Sequence, residues 1–136
     1  MKKALIAGVV ENVLEDMTKI LQKRGCEVHI VQDPQQIVQT YQEINPDIFV
    51  LDVQMDKTSA GQIVKEFKER GLLNKTFILY SHFLKEAMAE NSPVHFFYCN
   101  YLQKHFGEDA QYLRYIGIYR QDIFAKVVDL RLSGQI

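Results

Sequence analysis

Hydrophobic and polar positions along this chain fall into short apolar runs separated by segments with helical spacing. Ala4 to Val10 is an apolar run without strict alternation, the pattern of a central parallel strand. From Asn12 to Arg24, Val13, Met17, Ile20 and Leu21 share one stripe, and Gly25 follows where a helix would stop. Glu27 to Val31 reads as a second strand. Asp33-Pro34 is a helix start, with a capping acid before a proline at the first helical position. The helix it opens carries Ile37, Val38, Tyr41 and Ile44 on its apolar face and ends before Pro46. Ile48 to Leu51, with Val53 close behind, predicts a strand covered on both faces, and Asp52 sits where that strand should end.

After a polar loop from Asp56 to Gly61, the residues Ile63, Val64 and Phe67 predict a helix over Gln62 to Arg70, closed by Gly71. Thr76 to Tyr80 predicts a fourth strand ending at Ser81, and Leu84 to Glu90 a short helix interrupted by Asn91, Ser92 and Pro93. The aromatic stretch near Tyr98 to Leu102 predicts the fifth strand, followed directly by Lys104. From about Asp109 to Leu130, Leu113, Ile116, Tyr119, Ile123, Val127 and Leu130 recur at helical spacing. They predict a long C-terminal helical segment, with Gly117 as a bend or break. Tyr112, Tyr115, Ile118 and Phe124 widen its apolar surface beyond what covering one sheet face requires, which points to a protein partner or self-association through that face.

Five strand-helix units with short connections predict an α/β fold with a doubly wound parallel sheet and helices on both faces; the pattern does not set the strand order. A chain of 136 residues, 47% hydrophobic, fits a single domain over 1–136. A formal charge of −1 gives no general attraction to nucleic acid or to an anionic membrane, and no run approaches the roughly 20 apolar residues of a membrane span. Cys26 and Cys99 lack metal-ligand spacing and fit a reducing, cytoplasmic setting. The first loop has neither the glycine series of a dinucleotide site nor a terminal Gly-Lys-Ser/Thr. His29, His82, His95 and His105 are scattered with no i,i+4 pair, so no zinc site or catalytic role is assigned to them.

Asp52, Ser81 and Lys104 would then meet at the carboxyl edge of the sheet, where open α/β folds bind ligands. A carboxylate can attack a phosphoryl group, a hydroxyl can donate to one phosphoryl oxygen and an ammonium can neutralise another. Taken singly, Ser81 could equally cap the next helix and Lys104 could be a solvated lysine.

These pieces together, LDVQM around Asp52, the turn from Ser59 to Gly61, ILYS ending at Ser81 and YLQKHF containing Lys104, resemble the receiver domain of bacterial response regulators over nearly the whole chain. The resemblance implies a flavodoxin-like five-stranded parallel sheet of order 2-1-3-4-5. It also implies Asp52 as phosphoacceptor, Ser81 and Lys104 as phosphoryl contacts, and Tyr101 as the aromatic switch. Receivers carry two adjacent acids after the first strand that help hold Mg²⁺; Gly8 and Val9 stand in those positions here. Asp52, with Glu11 or Asp56 as a helper, is a poor Mg²⁺ ligand set. Asp56 also replaces the usual proline after Met55, and His105 replaces the one after Lys104.

The leading expectation is therefore a non-enzymatic, stand-alone receiver-like protein in phosphorelay signalling. Asp52 would take phosphate from a histidine kinase or phosphotransfer protein, and output would pass through protein contact. The alternative is a phosphorylation-independent pseudo-receiver acting as an interaction or dimerisation module. A small enzyme of flavodoxin-like topology is weaker, because no base and nucleophile pair is evident.

Overall fold

The short apolar runs become a sheet because each is too short and too uniformly apolar to bury itself except between two helical layers. In the computed structural model, which describes residues 1–82 and 100–136, β1 (Lys3–Ala7), β2 (Glu27–Val31) and β3 (Ile48–Asp52) lie where the pattern places the first three strands. A small antiparallel hairpin follows, β4 (Gln54–Met55) and β5 (Thr58–Ser59), and then β6 (Phe77–Ser81) and β7 (Leu113–Ile118). The main sheet is parallel throughout, in the order β2-β1-β3-β6-β7. Counted by its own five strands this is the flavodoxin-like order that the receiver resemblance implies.

The helices are α1 (Glu11–Lys23), α2 (Ile37–Ile44), α3 (Ala60–Glu69), α4 (Asn100–Phe106) and α5 (Gln121–Leu132), numbered among the described residues. Local signals fix two of their starts. The Asp33 side chain accepts from Gln35 N in the 3₁₀ turn Pro34–Gln36 before α2, and Ser59 and Gln62 form a reciprocal capping box at α3. One face of the sheet packs on α2 and α3 through Tyr41, Phe49, Phe67 and Phe77. Their rings meet edge to face, with Tyr41 to Phe67 at 4.8 Å and Phe49 to Phe77 at 4.8 Å between centroids. The other face packs on α1 and α5 through Leu14, Met17, Leu21, Phe124, Val127 and Val128. Cys26 is a buried free thiol. No helix among the described residues is long and apolar enough to cross a membrane.

Two expectations for the C-terminal third are overturned. The fifth strand does not run to Leu102: of the stretch from Tyr98, the described residues from 100 on are helical in Asn100–Phe106, and the last sheet strand is β7, reached through a 3₁₀ turn at Gly107–Tyr112. Aromatic β-propensity favoured a strand there, but Leu102 and Phe106, four residues apart, are both buried, as one face of a helix requires. The 109–130 stretch is likewise not one helical segment. Leu113 and Tyr115 point into one core and Ile116 into the other, the alternation of a strand covered on both faces. Gly117 is the kink that ends this alternation rather than a break in a helix. Its φ is +74°, and the pairing of β6 with β7 shifts register there, so that Ser81 lies opposite Ile118. Of the residues that widen the apolar surface of this stretch, Tyr115 is 1% exposed and Phe124 is fully buried, while Tyr112 and Ile118 are half-buried. The large hydrophobics exposed among the described residues are Met1, Val9 and Ile30. The helix expected over Leu84 to Glu90 lies outside the described residues.

Candidate functional site

β3 and β6 end side by side, with Asp52 opposite Tyr80 in the register and Ser81 one residue further on. Both Asp52 and Ser81 are fully buried. Backbone bonds fix the edge: Val53 N donates to Tyr80 O at 2.9 Å, and Tyr119 N to Ser81 O at 2.9 Å. Asp52 and Ser81 therefore meet at the carboxyl edge as expected.

The Asp52 carboxylate is engaged on both oxygens. Gln54 N donates to Oδ1 at 3.0 Å, and His82 Nδ1 lies 2.5 Å from Oδ2. The two groups share one hydrogen bond, whose donor follows from the tautomer of the ring. Burial pushes the Asp52 carboxyl above the usual carboxylate range; the Gln54 N–H and the His82 imidazole oppose this without cancelling it. The Tyr80 hydroxyl faces the same carboxylate without closing a hydrogen bond of regular geometry. Burial first, and the Asp52 charge second, push the Tyr80 phenol well up, so it remains neutral.

Tyr80 also explains what stands after β1. Gly8 N donates to Val31 O at 3.2 Å, and a Cβ built on Gly8 would run into the Tyr80 hydroxyl, with Leu14 Cδ2 at 3.1 Å on its other side. The tyrosine occupies the space that a side chain at position 8 would need. Val9 and Glu11 are exposed, and Asp56 is exposed at the hairpin turn with φ +54°. Mg²⁺ requires several oxygen ligands in octahedral geometry. One carboxylate already bonded on both oxygens by protein groups, beside a phenol and a glycine, does not supply them. Among the described residues no group of three His, Cys, Asp or Glu side chains is placed to hold a metal. The residues present do not fit the ion.

Lys104 is exposed on α4, ahead of the last strand rather than after it. The expected convergence of Asp52, Ser81 and Lys104 is corrected to that extent, and the physical reason is the displaced fifth strand. Tyr119 follows β7 instead, and its hydroxyl donates to Asp16 Oδ2 on α1, while Gln121 Nε2 donates to Asp16 Oδ1 at 2.7 Å. Burial and the Asp16 carboxylate push the Tyr119 phenol up as well. The side chain of Tyr101 lies outside the described residues. Sequence reasoning missed His82 and Tyr80. His82 directly follows Ser81, where a histidine could accept a proton or bind metal, but with no i,i+4 partner it receives no role from sequence, and its contact with Asp52 is not visible there; Tyr80 looks like one more apolar residue of its strand.

A family model for the response regulator receiver domain matches residues 6–113. The chain belongs to this family. The match contains Asp52 and Ser81 and stops at the first residue of β7. No curated protein matches the chain in sequence. Solved receiver structures match its fold over nearly the whole length. The receiver domain of Francisella response regulator 1452 has 14% identity, full coverage of both chains and a TM-score of 0.72. The chemotaxis response regulator CheY4 of Vibrio cholerae has 15% identity, coverage of 96% and 98%, and a TM-score of 0.72. The response regulator TrrA of Thermotoga maritima, solved with Mg²⁺ and beryllofluoride, has 17% identity, coverage of 96% and 99%, and a TM-score of 0.67. Identities this low establish the shared fold, including the β7 and α5 unit that the family match does not reach. The chain is thus a receiver domain of response regulators, a module of phosphorelay signalling.

Proposed function

We propose that this receiver domain signals through protein contact, in a cytoplasmic phosphorelay setting, with Asp52 held closed by His82 instead of standing open to Mg²⁺-dependent phosphorylation. The observation that carries this reading is the state of Asp52: fully buried, with Oδ1 taken by Gln54 N and Oδ2 by His82. A phosphodonor must bring phosphorus in line with a carboxylate oxygen, and the imidazole occupies Oδ2. The glycine at position 8 and the Tyr80 hydroxyl beside it support the same conclusion from the metal side.

The second reading keeps Asp52 as phosphoacceptor for a histidine kinase or phosphotransfer protein, with Ser81 and Lys104 on the phosphoryl group and Tyr101 as the switch. Ser81 favours it, since it ends β6 beside Asp52. It requires Lys104 to reach the phosphoryl group from α4 and His82 to leave Oδ2. Incubation with acetyl phosphate and Mg²⁺ separates the two readings by intact mass. The closed-site reading expects no phosphoryl increment on Asp52. An increment that is lost in Asp52→Asn would establish the acceptor reading.

A further inference from the structure

We propose that this chain pairs with a second copy of itself through β2 and the flank of α1 beside it, about a two-fold axis that sets the two β2 strands antiparallel. β2 is an edge of the main sheet and pairs with β1 alone among the described residues. Glu27 N donates to Lys2 O and Gly8 N to Val31 O, so residues 27, 29 and 31 bond toward β1 in the alternation of a parallel ladder. Val28 and Ile30 therefore turn their N–H and C=O outward. No lysine, proline or bulge guards this edge, and its register with β1 is continuous from Glu27 to Val31. The opposite edge, β7, is kinked at Gly117. Ile30 is 45% exposed, and with Met1 and Val9 it makes up the large hydrophobics exposed among the described residues. With Leu14 and Thr18 of α1 it lines an open groove of about 510 Å³.

The charge on the α1 flank selects the occupant. Glu11, Glu15, Lys19 and Lys23 stand four residues apart in one exposed row along the helix, acids first and bases last. Among the described residues none of the four closes an ion pair within the chain. A row in this order is complementary to itself read backwards. An antiparallel copy sets Glu11 against the second copy's Lys23 and Glu15 against its Lys19, and two-fold symmetry forms each pair twice. An axis beside His29 and the middle of α1 also sets Val28 opposite the second copy's Ile30. Both residues have outward N–H and C=O groups, so each such pair exchanges two hydrogen bonds and brings two apolar side chains together on the α1 face. Burial of Ile30 and the added strand pairing supply the attraction. The ion pairs, each worth little at a surface, fix the antiparallel direction.

Sedimentation velocity of the full chain over a concentration series at low salt reads the association. The expected result is a concentration-dependent dimer, weakened at least about tenfold by Ile30→Asp, which would bury a charge at the centre of the contact. Glu15→Lys and Lys19→Glu each bring like charges together twice and should each weaken the dimer about tenfold. An equal mixture of these two variants restores both pairs, as does the chain carrying both substitutions, and each should recover most of the lost affinity. Should Ile30→Asp fail to fold, the exchange between positions 15 and 19 still decides. A chain that stays monomeric throughout overturns the proposal and leaves the groove to a different protein. A dimer unchanged by both single substitutions, or weakened by both and rescued neither by mixing nor by combining them, overturns it as well.

Discussion

Asp52→Asn exchanges a buried charged oxygen for an amide of the same shape. The Asn Oδ1 still accepts from Gln54 N, and the amide nitrogen donates to His82 Nδ1 with the ring proton carried on Nε2, so the contacts at the end of β3 are retained. What changes is the charge. Burial holds the Asp52 carboxyl above the range it would have in the unfolded chain, so the folded protein binds its proton more tightly than the unfolded one. Its favourable contribution is complete below the unfolded value of about 3.9 and is lost as pH rises through the folded value. Asn does not titrate. The variant should therefore match the parent near pH 4, within about 0.5 kcal/mol, and exceed it increasingly toward pH 8. Exchange of a buried ionic group for a neutral one of similar volume gives a gain of about 1–3 kcal/mol. For 136 residues each kcal/mol is about 3–4 °C in Tm. Urea unfolding of both proteins at matched pH values measures the difference directly. A variant less stable than the parent at pH 8, or a gap that does not grow with pH, would refute the claim that Asp52 is a desolvated charge.

Three further outcomes follow from the same geometry. His82→Ala removes the partner of Asp52 Oδ2 and should lower stability at neutral pH by about 2–4 kcal/mol, with a smaller loss when Asp52 is already Asn; a double-mutant cycle by urea unfolding with no coupling would deny the pair. Gly8→Asp forces a side chain into the Tyr80 hydroxyl and should lower stability by about 2–4 kcal/mol, less in a Tyr80→Ala background, whereas strictly additive losses would mean the two positions do not compete for space. Lys104→Ala changes an exposed residue on α4 and should leave stability within about 0.5 kcal/mol in thermal unfolding; a larger loss would place the ammonium in a contact.

The first 82 residues were legible because several independent signals agree there. The capping acid Asp33 before Pro34, the Ser59 box and the uniformly apolar IFVL run each specify one local structure, and the sheet register follows from them. The C-terminal third was misplaced because its signals conflict. Leu113, Ile116, Tyr119, Ile123, Val127 and Leu130 keep a spacing of three and four across what is a strand, a turn and a helix, so periodicity alone could not find the boundary. Gly117 marked it, but a glycine in a helical pattern and a glycine at a strand kink look the same without the φ angle. At the site, Asp52 and Ser81 were visible as polar residues ending apolar strands. Tyr80 was hidden by its apolar strand, and its role depends on the neighbouring strand bringing Gly8 within reach. His82 needed the β3 to β6 pairing before its partner could be named.

The central claim, that Asp52 is a desolvated carboxylate closed by His82, is tested most directly by a site-resolved titration of the Asp52 carboxyl carbon by NMR, with and without His82→Ala. The midpoint in the unaltered protein should lie above the ordinary value of about 3.9, and loss of the imidazole, which opposes the effect of burial, should raise it further. A midpoint at or below the ordinary value, unmoved by the substitution, would mean an open and unpaired Asp52, and would contradict the account.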